Sequence, residues 1–485
     1  MLYLRAFSGL YHRCRKALVG NRRIQSFLAI VVFVFVATLL LPEQHRDDSE
    51  EQVALSDEIT SEPTESWRFP GPPTFEKLWR WEQDLPQHDL QLPFPEGKTG
   101  RYVKFSNQAR RLGWNNCFNE ILMNSHLAYM SKRAYVFQTY HWAANHYPWP
   151  PSQRLAEQPQ TPLNALFSGP AVGSPWDEGD DAPRAVSESW FEIVCPEQER
   201  RIINTTDVKP WIGAAEGSKI FADWQELLLN APERCIEVVP APYEVDNFPQ
   251  VFDLWLFGSS RILSLWPEFS KSPTSRLLET SPIVESAVSR NKYLFLPRHK
   301  PSQPAPRDPY QRMLAMHIRR GDYSKSCEAL ASFGSTFYSW NLLPDLPDAF
   351  IPLREDHPDR IAKAMEHCSP SFDAILKKVR DARSDYLLAL NGRHQTLDVL
   401  YILTNEHDEW LDELLDAFKK DHWGTIVTSH ELELDAEQIE VSMAVDMDIA
   451  RRAAVFIGNG WSSFTSNIVH RRLVDGKLPI SIRFY

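Results

Sequence analysis

The sequence predicts an α/β protein built on doubly wound parallel sheet. Two stretches carry that prediction. From Arg101 to Gln138 the pattern runs strand, Gly/Asn turn, helix, strand, which is a βαβ unit. From Met313 onward, short apolar runs alternate with amphipathic stretches, strand by helix. A third observation points to a site. The apolar run Met313 to Met316 leads straight into His317-Ile318-Arg319-Arg320-Gly321-Asp322. This reads as a buried strand that empties its polar residues at its C-terminal end, where open α/β sheets bind ligands.

Length and composition set the frame. The chain has 485 residues, enough for two core-bearing domains and further segments. Hydrophobic residues make up 43% and aromatics 12%, as in globular proteins. The net charge of -12 leaves no basic excess to neutralise phosphates, which argues against nucleic acid as a partner. The 36 prolines favour long irregular connections.

In chain order, Ile24 to Leu41 is almost wholly apolar and near the lower length limit for spanning a bilayer. Arg5, Arg13, Arg15, Lys16, Arg22 and Arg23 precede it and acidic residues follow, so the tail is expected in the cytosol and the rest in the lumen. A cleaved signal peptide is the alternative. Its apolar core is usually shorter, and no small-x-small site precedes Pro42, so an uncleaved anchor is favoured. The short span suits the thin membranes of the early secretory pathway. From Pro42 the chain is acidic, then runs into Phe69-Pro70-Gly71-Pro72-Pro73, and it reads as an extended stem. Trp67, Trp79 and Trp81 are candidates to pack back on the folded part.

The first folded unit opens with a strand over Arg101 to Phe105, the turn Arg110 to Asn116, a helix from about Cys117 to Lys132, and a strand from Ala134 to Gln138. Gly113 before the helix lets an anion approach its N-terminus closely. Trp142 to Pro183, rich in Pro, Gly and Trp, reads as a long surface excursion. Helical fragments follow at Ala222 to Leu229 and Val251 to Trp266, then a strand at Tyr293 to Leu296 and a proline-rich hinge at Pro301 to Arg307.

After the strand ending at His317, helices are expected at Pro358 to Cys368 and Ser371 to Ala382. A buried parallel strand follows at Val399 to Leu403, a helix at Leu411 to Phe418 and a strand at Gly424 to Val427. A single helix over Gln438 to Ala454 comes next, and Val455 to Asn459 is a strand into a turn, with Ser462-Ser463-Phe464-Thr465 opening another helix. The lumenal cysteines are Cys117, Cys195, Cys235, Cys327 and Cys368. Cys195 with Cys235 and Cys327 with Cys368 are the expected disulfides, and the absence of C-x-x-C spacing argues against zinc. Asn204-Thr205-Thr206 is an N-glycosylation sequon, usable on the lumenal side.

Three clusters could carry chemistry. Arginine at the end of the His317 strand suits phosphate, because its planar charged fork can bond two oxygens at once. An ordinary strand-end salt bridge is the bland reading. Phe456-Ile457-Gly458-Asn459-Gly460-Trp461-Ser462-Ser463-Phe464 puts a glycine turn and two hydroxyls at a helix start, which presents N–H groups to an anion, or is simply a cap. Asp446-Met447-Asp448 resembles a metal-holding Asp-x-Asp pair, but in a helix residues two apart do not face each other.

Together these motifs resemble the GDP-fucose-dependent protein O-fucosyltransferases. His-x-Arg-Arg-Gly-Asp after a strand, Asp446 in a later helix and the Phe456 to Phe464 run look like the family's C-terminal motifs. Leu112-Gly113-Trp114-Asn115-Asn116 looks like its N-terminal Gly-x-Asn loop. The match covers Arg101 to Gln138 and Met313 to Val469, and the insert between looks like that of fungal members. The resemblance implies a GT-B fold, two Rossmann-like domains facing a cleft. The expected division is a cytosolic tail over 1–23, an anchor over 24–41, a stem over 42–95, an acceptor-side domain over 96–305 and a nucleotide-sugar domain over 306–485.

It also implies site roles. Arg319 would hold the β-phosphate and support departure of GDP, with His317 beside it and Asp322 at the motif's acidic position. Asp446 would bond guanine. Ser462, Ser463 and Phe464 would line the nucleotide pocket, and Gly113, Asn115 or Asn116 would face the fucose and diphosphate. Fucose would pass from GDP-fucose, with inversion and without a metal or other cofactor, to a protein hydroxyl in the Golgi or endoplasmic reticulum. Other outcomes of the same pattern are a glycan acceptor, another GDP-sugar, a binding protein without turnover, or a metal-dependent GT-A enzyme resting on Asp446 and Asp448. One subgroup has a glutamate base just before the Asn loop. Gly113 stands near that place here, and Glu120, one turn into the helix, is more often a solvated surface residue than a base, so no base is assigned.

Overall fold

The computed structural model describes residues 71–108, 112–212, 215–242, 244–296, 308–390 and 396–485, with the side chains of Trp211 and Asp322 outside that description. The expected anchor, the tail before it, the acidic stem, Arg110, Arg111 and the Pro301 to Arg307 hinge lie outside it too. Among the described residues no helix is long and apolar enough to cross a membrane.

The last part of the expected stem is folded. Helix α1 (Glu76–Gln83) follows Phe75, and both Phe75 and Leu85 are buried in the main core. Trp79 packs against that core, while Trp81 is exposed. The predicted βαβ unit is present as β1 (Tyr102–Phe105), α2 (Trp114–Met130) and β2 (Ala134–Phe137), with Tyr102 opposite Ala134 in parallel register. Helix α2 starts three residues before the expected Cys117. Gly113 takes the cap position, and Trp114 stacks on Phe118 at 5.1 Å and meets Tyr140 edge-on.

Three further strands complete the first sheet: β3 (Val186–Ser187), β4 (Arg200–Asn204) and, after helix α3 (Gly217–Asn230), β5 (Cys235–Val239). The order is β3-β2-β1-β5-β4, with every pair parallel. Strand β4 escaped the sequence reading because an edge strand, here Arg-Arg-Ile-Ile-Asn, need not look apolar.

The Trp142 to Pro183 stretch is not a surface excursion. Trp142, Trp149, Leu166, Phe167 and Val172 are buried, and its short ribbons, such as Tyr140–His141 with Gln160–Thr161, lay aromatic side chains against α2. Nor is Tyr293 to Leu296 a strand. It is a 3-10 turn, Lys292–Phe295, closing helix α4 (Pro282–Asn291) and burying Phe295 against Tyr310 and Tyr401. A four-residue apolar run has no period by which helix and strand differ.

The second sheet begins with β6 (Met313–Ile318). Gly321, at φ +59°, then turns the chain into α5 (Asp322–Phe333), a conformation that favours glycine. There follow α6 (Arg360–Cys368), α7 (Phe372–Ala389), β7 (Val399–Thr404), α8 (Glu409–Lys420) and β8 (Thr425–Thr428). Two helices replace the single one expected over Gln438 to Ala454: α9 (Ala436–Glu440) and α10 (Ser442–Arg452), parted at Val441. The part coincides with Glu440 turning its carboxyl to Tyr147 and Thr161 of the first half. The chain ends with β9 (Val455–Gly458), α11 (Ser463–Val474) and β10 (Ile482–Phe484). The order is β8-β7-β6-β9-β10, again all parallel.

Both faces of this sheet are covered, which is why its central strands β6, β7 and β9 read as largely apolar runs. Leu314, Met316, Leu400 and Ile402 face Val379 of α7 and Leu414 and Phe418 of α8. Met313, Ala315, Tyr401 and Leu403 face the other way, into a core that also holds Val103 and Phe105 of β1 and most of α2. The halves thus share one core. Both expected disulfides are present: Cys195–Cys235 ties the approach to β4 to β5, and Cys327–Cys368 ties α5 to α6.

Candidate functional site

Three sequence-predicted segments follow C-terminal strand ends, and side-chain contacts bring them together. The Gly113 loop follows β1, His317 lies at the end of β6 with Arg319 just after it, and Ser462 follows β9. Ser462 caps α11, its side chain accepting from the Thr465 N–H. One turn on, Asn467 donates through Nδ2 to the Asn115 carbonyl at 3.0 Å and to Asn115 Oδ1 at 3.1 Å, across 352 residues. The starts of α2 and α11 are therefore bonded to each other. From β6, the His317 ring lies 4.7 Å from the Phe464 ring.

Between these helix starts several polar atoms are left over. His317 Nδ1, Thr465 Oγ1 and Asn467 Oδ1 are buried without a hydrogen-bond partner. Buried polar atoms are rarely left so, and a group of them beside a strand end marks a place for ligand atoms or water. Gly458 makes the turn possible, since a Cβ there would lie 2.4 Å from Thr465 Cγ2. Gly113 offers no capping side chain, so the first turn of α2 stays open to an approaching group.

The two arginines are not equivalent. The Arg320 guanidinium lies 3.9 Å over the Trp410 ring of α8, so it is committed to packing. Arg319 is exposed, with its guanidinium 5.5 Å from the Tyr323 ring centroid. His317 has little accessible surface, and burial, then the Arg319 charge, push its imidazole down to about 3. It is neutral at physiological pH, a hydrogen-bonding group instead of an acid. Ser462, Ser463, Asn115 and Asn116 are partly exposed. Asn115 is the one of the two asparagines held by Asn467. The Asp322 side chain lies outside the described residues.

Asp446 sits on α10 against the inner face of the second sheet. Its Oδ1 accepts from the Tyr401 hydroxyl at 2.5 Å, and burial raises its carboxyl to about 7 against that bond. Asp448 does not form a pair with it. Asp448 accepts from Thr280 Oγ1 at 2.6 Å and from Arg452 Nε at 2.6 Å, so its oxygens are engaged elsewhere. Glu120 is not a solvated surface residue: it is 2% exposed and accepts from Asn124 Nδ2 at 3.4 Å. Cys117, also on α2, is no nucleophile, because burial drives its thiol well above the usual range.

The sequence reading missed Asn467, Tyr401 and Glu440. Each had a faint signal. Asn467 stands beside the apolar pair Ile468-Val469, Tyr401 is the one hydroxyl in Val399 to Leu403, and Glu440 sits between apolar neighbours. None had a visible partner, because all their partners lie far away in sequence.

No family model and no curated protein matches the chain. Solved structures do. POFUT1 in complex with GDP-fucose is 15% identical at a TM-score of 0.48, covering 79% of this chain and 97% of that one. NodZ alpha-1,6-fucosyltransferase soaked with GDP-fucose is 12% identical at a TM-score of 0.34, with 76% and 91% covered. An Arabidopsis thaliana FUT1 mutant in complex with GDP is 12% identical at a TM-score of 0.31, with 84% and 79% covered.

Proposed function

We propose that this chain is a GT-B glycosyltransferase that moves fucose from GDP-fucose, with inversion and without a metal, to a protein hydroxyl in the secretory pathway. One observation carries the reading. Motifs that resemble the donor-binding residues of protein O-fucosyltransferases meet at the strand ends, through the Asn115–Asn467 bonds and the His317–Phe464 contact. In this reading Arg319 meets the β-phosphate. When the fucose C1–oxygen bond breaks, its electron pair stays on that phosphate, and the guanidinium stabilises the new charge. Neutral His317 offers a hydrogen bond beside it. Asn115 or Asn116 steadies the sugar, Ser462, Ser463 and Phe464 line the nucleotide, and Asp446 meets the guanine edge. The acceptor oxygen attacks C1 from the opposite face, and the hydroxyl proton it loses passes to solvent. Two disulfides suit a lumenal setting beyond an Ile24 to Leu41 anchor.

The test is donor turnover. The full chain in detergent is incubated with GDP-fucose, GDP-mannose or UDP-galactose, with and without EDTA, and nucleoside diphosphate release is followed. Release from GDP-fucose alone, unchanged by EDTA and lost in Arg319→Ala, is the expected result. Release abolished by EDTA would remove the metal-free mechanism. Absence of both turnover and GDP binding would remove the donor assignment itself.

A further inference from the structure

Tyr401 is absent from the motifs, yet it holds a motif residue in place. It lies in the middle of β7, opposite Ala315 of β6, and is 0% exposed. Its ring is pressed edge-on against Phe295, centroids 5.5 Å apart, so the hydroxyl cannot swing away. That hydroxyl donates to Asp446 Oδ1 at 2.5 Å. We propose that Tyr401 is the positioning residue for base recognition: it fixes the plane of the Asp446 carboxylate so that both oxygens meet the N1–H and N2–H donors of a bound guanine. The inference rests on the proposed donor reading, in which Asp446 meets the base.

The chemistry is one of acceptor positions. A carboxylate offers about four, and Tyr401 takes one of them on Oδ1. The rest remain for guanine, whose two adjacent donors match two carboxylate oxygens. Hypoxanthine lacks the exocyclic amine and offers one donor there. Recognition of this kind needs the ionised carboxylate, because a protonated oxygen would meet an N–H with an O–H.

The surroundings leave Tyr401 as the group that controls this ionisation. Burial raises the Asp446 carboxyl and the bond from Tyr401 lowers it. Neighbouring charges are engaged elsewhere. Asp448 of α10 and Glu285 of α4 both pair with Arg452, and Glu440 of α9 accepts from Tyr147 and Thr161. Tyr310, before β6, and Glu431, after β8, act on Tyr401 itself. His317 of β6 is neutral, and His470 of α11 bonds Ser275.

The test compares binding of GDP and inosine diphosphate to the full chain in detergent by calorimetry, from pH 6 to 8.5. Wild type, Tyr401→Phe, Asp446→Asn and the double variant are measured. Ratios between variants cancel the titration of the phosphate. Loss of one hydrogen bond to the charged form raises proton affinity about tenfold, leaving about a tenth of Asp446 ionised at pH 7 instead of about half. GDP binding by Tyr401→Phe should then be about fivefold weaker than wild type at pH 7 and near parity at pH 8.5. The preference for GDP over inosine diphosphate should shrink with it, and Tyr401→Phe should add nothing once Asp446 is Asn. A Tyr401→Phe curve that overlays wild type, or a loss that is the same at every pH, overturns the positioning role. The donor reading fails separately, if Asp446→Asn binds both nucleotides as wild type does. Melting temperature, read on each variant, identifies a misfolded sample, for which Tyr401→Leu, which likewise has no side-chain donor, replaces Tyr401→Phe under the same criteria.

Discussion

Replacing Glu440 with Gln should stabilise the protein above pH 7 and do so far less near pH 5. Glu440 is 1% exposed and accepts from the Tyr147 hydroxyl at 3.0 Å and the Thr161 hydroxyl at 2.5 Å. Burial outweighs these bonds and raises the carboxyl from 4.5 to about 7. The sign follows from which state holds the proton. An unfolded chain gives up the Glu440 proton near pH 4.5, the folded one only near pH 7, so the folded state is favoured below 4.5. That advantage is lost as pH rises from 4.5 through 7. Each tenfold change in proton affinity is about 1.4 kcal/mol, so the ionised carboxylate costs about 3 kcal/mol at pH 8. Gln is nearly the same size and carries no charge. Its carbonyl can still accept from one hydroxyl, so it should remove most of this cost and little else. Scanning calorimetry of wild type and Glu440→Gln at pH 5, 6, 7 and 8 should show a melting-temperature gap that widens with pH. A gap of constant size, or a variant less stable at every pH, would mean that the carboxylate is ionised and well bonded in the folded state. Glu82 is shifted the same way, to about 7, by burial against its bond from Asn164, so wild type itself should be most stable at mildly acidic pH.

Arg319→Ala should lower donor turnover at least about 100-fold, as loss of a charge-stabilising donor does, while Arg320→Ala, stacked on Trp410, should lower stability more than turnover; steady-state kinetics with a melting curve separates the two. A Cβ at Gly460 would stand 2.3 Å from the Phe337 ring, so Gly460→Ala should destabilise by about 1–3 kcal/mol, read by urea unfolding, unless the ring can move. Arg472 is fully buried and donates to the carbonyls of Ala450, Ala453, Ala454 and Ser481, so Arg472→Met should cost more than about 3 kcal/mol and reduce soluble yield. Cys195→Ser opens a disulfide spanning 40 residues and should cost about 2–4 kcal/mol in the same unfolding assay.

Strands and helices with a clear period were legible in the sequence. Val399 to Leu403 and the βαβ unit after Arg101 lie within a residue or a few of their observed bounds; the first because burial on both faces makes it an unbroken apolar-aromatic run, the second because its Gly/Asn turn parts two different periods. Strand β4 was not legible, since its register comes from β5 and not from its own Arg-Arg-Ile-Ile-Asn. The Trp-rich insert was misread because composition alone does not say what covers a tryptophan; here α2 does. At the candidate site, the motif residues stood out by residue type and spacing after strands. Their supports did not. Asn467 and Tyr401 act through partners 352 and 45 residues away, and a single sequence carries no trace of such pairing.

The core common to both halves has a consequence for how the chain is made. As the ribosome releases it, the first half emerges with Val103, Phe105 and the apolar side of α2 before the strands that cover them exist. Until β6 and β7 are synthesised, that surface must be shielded, as chaperones do for exposed apolar surface. Neither half is a module that can be exchanged on its own. A chimera assembled from one half of this chain and one half of a distant relative would have to inherit the buried seam along with the strand ends.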